Sequence, residues 1–155
     1  MGDPQPHDLG ILLAACCERM VRTVLGELAT VGYGHLTPSQ SLTVLFIGGG
    51  SDTVTQLADR LGMTTQAISK ICATLHTEGL LGRHANIGDA RVRRLELTPE
   101  GCRAVEAMRA AGTAAEQAWV DLVGAETLDV VRGALAAFAF APQGAPVSPV
   151  HIRFA

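Results

Sequence analysis

The sequence predicts a mainly helical fold of the α+β class, in which several helices surround one short β-hairpin. Apolar residues recur at helical spacing over most of the 155-residue chain. Hydrophobic residues make up 48% of the chain and aromatic residues only 4%, so the core must be built from Ala, Val and Leu, which suits packed helices. One stretch, residues 80–97, has the pattern of two paired strands. The length predicts a single domain.

Two helices are predicted in the N-terminal part of the chain. Apolar residues at helical spacing predict a long amphipathic helix over residues 9 to about 31. Thr37 and Gln40 then form a capping box, with Pro38 at the first helical position, where its missing N–H has no cost. A second helix is therefore predicted over residues 38 to about 47.

Two shorter helices follow in close succession. Thr53 and Gln56 form another capping box ahead of a periodic apolar run. Gly62 ends that helix, because a residue without a Cβ atom adopts the left-handed conformation of a helix end at little cost. Thr64 is a good N-cap for the next helix. Two helices so close together must turn sharply, which is the pattern of a helix-turn-helix.

The second helix of this pair has two chemically different faces. Its apolar stripe consists of Ala67, Ile68, Ile71, Cys72 and Leu75. Its outer, N-terminal face carries groups that can reach base edges or phosphates, namely Thr65, Gln66, Ser69 and Lys70.

The hairpin and two further helices complete the chain. Residues 80–84 and 91–97 are predicted to pair as strands, with Leu95 and Leu97 on one face and Arg94 and Glu96 on the other. Thr98 and Pro99 then begin a helix that extends to about residue 123, and Gly124 ends it. Apolar positions from Leu128 mark a final helix to about residue 140, and the proline-containing tail has no assignable period.

Taken together, residues 53–101 resemble the MarR family of transcriptional regulators. The wing of that family ends in the pattern Asp-x-Arg-x-x-x-Leu-x-Leu-Thr-x-x-Gly, which this sequence matches without a gap at Asp89, Arg91, Leu95, Leu97, Thr98 and Gly101. The resemblance implies one MarR-type domain over residues 1–155. A winged helix-turn-helix core with a two-stranded β-wing would occupy about residues 37–101, between dimerisation helices at about 9–36 and 102–140, with a tail at 141–155.

The terminal helices need a partner. They are amphipathic, and the small winged core cannot cover all of their apolar faces. In the family that the sequence resembles, these helices intertwine with those of a second subunit, and the two-fold symmetry places two recognition helices about one DNA turn apart. A homodimer is therefore expected.

The distribution of charge along the chain favours a nucleic-acid partner, although the net charge of the whole chain does not. The net charge of the chain is −3. The stretch from Val54 to Arg94 contains six cationic and three anionic residues, a net charge of +3, so the rest of the chain carries −6. Basic charge lies where the resemblance places DNA, and its modest size indicates two chains acting together.

The resemblance implies a sequence-specific DNA-binding transcriptional regulator, a ligand-responsive repressor that acts as a homodimer on a pseudo-palindromic operator in double-stranded DNA. Gln66 can pair bidentately with adenine, whereas Thr64 serves the helix as its cap. By resemblance, Arg91 enters the minor groove and Asp89 orients it. The full set of candidate DNA contacts is Thr64, Thr65, Gln66, Ser69, Lys70, Arg83, Asp89, Arg91 and Arg93.

Many members of the family bind small aromatic acids or other lipophilic anions between the dimerisation helices and the core, which changes the spacing of the recognition helices. The resemblance implies such a ligand here. The candidate lining residues are Arg19, Tyr33, His35 and Trp119.

Two alternatives stay open at this point. Some relatives sense oxidants through a low-pKa cysteine near the start of the first helix, and Cys16 and Cys17 invite that comparison, although they lie about two turns deeper. A winged helix used only for protein contacts is the second alternative. It would require apolar groups where Gln66, Ser69 and Lys70 stand.

The sequence lacks the motifs of metal-binding proteins, enzymes and membrane proteins. The five histidines are scattered without metal-ligand spacing, so no metal or cofactor is predicted. The chain has no phosphate-binding glycine loop, nucleophile elbow or carboxylate pair beside a histidine, so no enzyme is predicted. With no export signal and an apolar run that ends at Glu18, we expect a cytoplasmic protein with reduced thiols and no membrane partner.

Overall fold

The computed structural model describes residues 8–82 and 94–139, and within those ranges the chain forms six α-helices. They are α1 Leu9–Thr30, α2 Pro38–Gly48, α3 Val54–Leu61, α4 Thr65–Thr77, α5 Pro99–Val123 and α6 Ala125–Ala139. The helices divide between two compact units. The terminal unit contains α1, the part of α5 from Arg109 onward and α6, and the central unit contains α2, α3, α4 and α5 as far as Met108.

Polar side chains begin the helices of the central unit largely as predicted. The capping box of α2 is complete: the Thr37 hydroxyl accepts from the Gln40 N–H, and the Gln40 side chain accepts from the Thr37 N–H at 2.7 Å. In α3 the Thr53 hydroxyl accepts from the Gln56 N–H at 3.3 Å. The second half of the predicted box is wrong, because the Gln56 side chain accepts from the N–H of Asp52 instead. It thereby ties the residue before the cap to the helix.

The turn between α3 and α4 has the predicted geometry. Gly62 has φ of 61°, the left-handed conformation that ends α3. The Thr64 hydroxyl accepts from the Ala67 N–H at 3.2 Å and so caps α4. Helices α2, α3 and α4 pack against one another around a common apolar core. Its buried residues include Val44, Ile47, Leu57, Ala58, Ile68, Cys72 and Leu75.

The described residues contain the base of the predicted hairpin. Leu81 and Leu97 form an isolated antiparallel bridge, and the Gly82 N–H donates to the Glu96 carbonyl at 2.9 Å. The expected alternation is present, since Leu95 is buried while Arg94 is exposed. Residues 83–93, which include the predicted strand partners and the tip, lie outside the described ranges. The structure therefore describes a bridge here and not a two-stranded ladder.

The Thr-x-x-Gly end of the family pattern has a structural role at the start of α5. The Thr98 hydroxyl accepts from the Gly101 N–H at 3.0 Å and donates to the Gly79 carbonyl at 2.6 Å. Gly101 lies directly against the Leu80 carbonyl, and a Cβ atom there would be only 2.2 Å from that oxygen. This close approach joins α5 to the segment that follows α4.

The terminal unit buries few side chains. Its buried apolar residues are Leu28, Ala111, Ala115 and Leu128. Gly124, with φ of 84°, separates α5 from α6, as the sequence predicted. Large apolar side chains remain exposed on this unit, including Leu9 at 69%, Val130 at 69% and Phe138 at 76%. Along residues 8–82 and 94–139, none of the helices has the length and apolar character needed to span a membrane.

Candidate nucleic-acid interface

The outer face of α4 is a polar surface of the helix-turn-helix that is exposed to solvent. Thr65, Gln66, Ser69 and Lys70 are all exposed, as the sequence predicted. The opposite face packs inward through the buried residues Ile68, Cys72 and Leu75. Because residues three and four positions apart share one face of a helix, Gln66 lies next to both Ser69 and Lys70. These three side chains form one continuous patch.

Hydrogen bonds within α4 determine which donors and acceptors each side chain has available for another molecule. The Thr64 hydroxyl accepts from the Ala67 N–H, so this residue is committed to capping the helix. The Ser69 hydroxyl donates to the Thr65 carbonyl at 2.8 Å, which leaves its oxygen as an acceptor. The side chains of Gln66 and Lys70 make no hydrogen bond or ion pair with any residue that the structure describes. Their donors therefore face solvent.

A histidine secures the other end of α4. His76 Nδ1 lies 3.0 Å from the Leu81 carbonyl oxygen, and since a carbonyl only accepts, Nδ1 carries the proton and donates. Leu81 is also the residue that bridges to Leu97. The hairpin base is thus tied to the helix that carries the polar patch. This role of His76 could not be predicted from the sequence, because a contact with a main-chain carbonyl leaves no pattern in the sequence.

The basic residues counted in the sequence differ in their surroundings. Lys70 is exposed on α4, Arg60 lies over the Phe46 ring at 5.6 Å from its centroid, and Arg94 pairs with Asp52 at 2.9 Å. The first is directed to solvent, whereas the other two are held by neighbours within the central unit. The wing candidates Arg83, Asp89, Arg91 and Arg93 lie outside the described residues.

Two of the four candidate ligand-binding residues line one groove. Arg19 and Trp119 line the same groove between α1 and α5 in the terminal unit. Trp119 also lines a second groove, formed with α6. Tyr33 is half-buried and lines neither groove, and His35 belongs to the central unit, where its Nε2 is 3.9 Å from a Glu78 carboxylate oxygen. The complete Arg19–Trp119 groove is lined by Cys16, Arg19, Met20, Thr23, Ala115, Ala118, Trp119 and Leu122.

The four cysteines are free thiols in different environments. Cys16 and Cys17 are half-buried, Cys72 is buried in the core and Cys102 is exposed. Burial raises the pKa of the Cys72 thiol, because the apolar surroundings disfavour the thiolate. Across residues 8–82 and 94–139, no group of three or more His, Cys, Asp or Glu side chains is placed to hold a metal ion.

A capped helix-turn-helix followed by the base of a hairpin defines the winged-helix class of protein. Comparison with protein families agrees with this class and narrows it. Residues 36–92 match the model of the MarR family.

Solved structures extend the likeness to both units. A probable transcriptional regulator from Pseudomonas aeruginosa is 25% identical, with a TM-score of 0.67 over 85% of this chain and 97% of the other. CouR from Rhodococcus jostii RHA1, solved with p-coumaroyl-CoA bound, is 18% identical, with a TM-score of 0.72 over 93% and 100% of the two chains.

A point mutant of MepR from S. aureus, solved bound to an oligodeoxyribonucleotide, is 21% identical, with a TM-score of 0.57 over 88% and 99% of the two chains. At identities this low, CouR and MepR show a shared fold alone. The search of curated proteins found no match to the chain.

Proposed function

We propose that this protein is a sequence-specific regulator of transcription that binds double-stranded DNA as a homodimer in the cytoplasm. The observation that carries the proposal is the patch of Gln66, Ser69 and Lys70. These exposed hydrogen-bonding groups lie on one face of α4, while the opposite face is fixed in the core. A helix anchored in this way enters the major groove with little loss of main-chain freedom.

Each side chain of the patch suits a different contact with DNA. The Gln66 amide has the donor and acceptor needed to pair with the N6 and N7 atoms of adenine. Lys70 is a point charge suited to a phosphate or a guanine edge, and Ser69 contributes an acceptor that favours a base amino group. Arg91, by resemblance to the family, enters the neighbouring minor groove from a two-stranded wing, with Asp89 orienting it. Arg83 and Arg93 contact phosphates.

The homodimer accounts for the apolar surface of the terminal unit. Leu9, Val130 and Phe138 each expose more than two thirds of their surface. Full burial of one such side chain stabilises an assembly by about 1.5 to 3 kcal/mol, so a matching surface on a second copy is strongly favoured. Two copies also double the positive charge presented to DNA. A two-fold dimer would then present two α4 helices to an operator of two half-sites.

We further propose that DNA binding represses transcription and responds to a small lipophilic anion. The groove shared by Arg19 and Trp119 combines one guanidinium with mostly apolar walls, which suits an aromatic carboxylate. CouR, which has the same fold, was solved with an aromatic thioester ligand. If the ligand binds more tightly to a dimer conformation in which the spacing of the two α4 helices does not match DNA, it would lower the population that binds DNA.

Selection of genomic fragments by the purified protein, followed by fluorescence anisotropy on the recovered fragments, tests DNA binding. We expect Gln66→Ala to lower affinity for the selected sequence by about tenfold, because one good base contact gives about 1 to 3 kcal/mol of discrimination. Arg91→Ala should weaken binding strongly without altering the fold or the dimer.

Arg22→Ala is the matched control, since Arg22 is an exposed arginine on α1 that pairs with Glu18. Its affinity should stay at the wild-type value. Recovery of no preferred fragment, with a protein partner retained instead, would contradict the proposal and favour a protein-interaction module. Wild-type affinity in both Gln66→Ala and Arg91→Ala would show that DNA is bound through another surface.

A further inference from the structure

Asp52 joins the start of the helix-turn-helix to the returning arm of the hairpin through three contacts. Its carboxylate accepts from Arg94 Nη1 at 2.9 Å, and its carbonyl accepts from the Leu95 N–H at 2.7 Å. Its own N–H donates to the Gln56 side chain at 3.0 Å. One residue therefore connects α3, through Gln56, to the chain segment that begins at Arg94.

The same returning segment is held from its other side by the segment that follows α4. The Gly82 N–H donates to the Glu96 carbonyl at 2.9 Å, and the Thr98 N–H donates to the Leu80 carbonyl at 3.0 Å. Residues 94–98 are thus fixed between the approach to α3 and the exit from α4. Arg94 is the first described residue after the stretch 83–93, so its contact with Asp52 lies at the start of this fixed segment.

We propose that Asp52 is a positioning residue for DNA binding that acts through Arg94. The ion pair restrains Arg94, which directly follows Arg93 and lies three positions after Arg91 in the sequence. This inference rests on the proposed function, in which Arg91 and Arg93 contact DNA. Because Arg94 is covalently joined to Arg93, a change in the position of Arg94 would be passed to the residues proposed to contact DNA.

The pair is too exposed to serve mainly for stability. The side chains of Arg94 and Asp52 are 71% and 31% exposed. Because water and salt screen such pairs, they contribute little to the free energy of folding. Variants at both positions should therefore fold, and their DNA affinity can be measured on intact protein.

Positioning and simple electrostatics predict opposite results for Asp52→Asn. Removing an acidic group from a DNA-binding unit favours binding to a polyanion, so electrostatics alone predicts tighter binding. Loss of the ion pair leaves Arg94 unrestrained, so positioning predicts weaker binding. The sign of the change in Kd separates the two.

The test is an anisotropy titration of the selected fragment at several salt concentrations, with Asp52→Asn, Arg94→Ala, Arg94→Lys and the double variant Asp52→Asn/Arg94→Ala. We expect each of Asp52→Asn and Arg94→Ala to raise Kd about fivefold, and the double variant to be no weaker than either, as for two groups that act through one contact. Arg94→Lys should restore near-wild-type affinity. Asp52→Asn and Arg94→Ala should give the same slope of log Kd against log salt, because both variants act on the same contacts of Arg91 and Arg93.

Arg103→Ala is the matched control, because Arg103 is an exposed arginine of the same unit that also pairs with a carboxylate, Glu100. Its Kd should equal that of the wild type. A Kd for Asp52→Asn at or below the wild-type value would overturn the inference. A salt slope reduced by about one phosphate contact in Arg94→Ala, but not in Asp52→Asn, would also overturn it, because Arg94 would then contact DNA directly. Failure of the wild type to bind any fragment would overturn the proposed function as well. If the wild type binds and the Asp52 and Arg94 variants have the same Kd as the wild type, this inference alone is overturned.

Discussion

Replacement of Gly101 by alanine should destabilise the central unit at the junction of α5 with the segment after α4. An alanine Cβ atom would lie 2.2 Å from the Leu80 carbonyl oxygen and 3.0 Å from the Leu97 side chain. The Leu80 oxygen cannot withdraw freely, because it accepts the Thr98 N–H at 3.0 Å and contacts the Thr98 hydroxyl at 3.3 Å. Relief of the clash therefore requires main-chain movement.

The size of the effect follows from opposing contributions. Overpacking of a rigid site costs about 1 to 3 kcal/mol, and a contact with main chain belongs at the upper end of that range. Weakening of the Thr98 hydrogen bond adds about 1 kcal/mol. Alanine is better than glycine inside a helix by about 1 kcal/mol, which offsets part of the loss. We expect Gly101→Ala to lower the free energy of unfolding by about 3 kcal/mol, and the melting temperature of a chain of this size by roughly 6 to 12 °C.

Urea and thermal denaturation followed by circular dichroism measure this change at one fixed protein concentration, because dimerisation would make the melting temperature depend on concentration. Gly112→Ala is the control: it lies in the same helix and its added Cβ would have nothing within 4 Å. That variant should gain up to about 1 kcal/mol from helix propensity. Equal stability of the two variants would refute the steric reasoning.

Three further outcomes are expected. Thr64→Ala removes the cap of α4 and should lower the free energy of unfolding by about 1 kcal/mol, which chemical denaturation measures; an unchanged midpoint would contradict the role of the cap. With a thiol reagent at pH 8, exposed Cys102 should react quickly, while Cys72, whose pKa is raised by burial, should react only as the protein opens; rapid labelling of both would contradict the core assignment. Val130→Asp and Phe138→Asp should each raise the dissociation constant of the homodimer in sedimentation experiments, and a dimer as tight as the wild type would place the interface elsewhere.

Much of the helical framework was predictable because its signals are local. The caps at Thr37 and Thr64 each bond an N–H three residues further along the chain, so both partners lie within one short sequence window. The turn at Gly62 depends on the conformational freedom of that one residue. The exposed patch on α4 followed from helical periodicity, since its members fall on the face opposite the apolar stripe.

Contacts between distant segments were not predictable in the same way. Gln56 fits a capping box by sequence, yet its side chain accepts from Asp52, a residue whose carbonyl and carboxylate are both bonded to the hairpin. Arg94 was counted among the basic charges, and only the fold shows that it has an acidic neighbour 42 positions earlier in the chain. Spacing in the sequence gives no signal for such pairs.

The sequence by itself determined where the helices begin and end, which face of α4 is polar, and that the wing pattern is the one found in the MarR family. These properties arise from hydrogen bonds and periodicity within a few residues. The tertiary structure decided which charges are paired, why Gly101 lies against the Leu80 carbonyl, and which of the proposed ligand-binding residues share a groove. Those depend on the distances between segments that only the packing of the helices brings together.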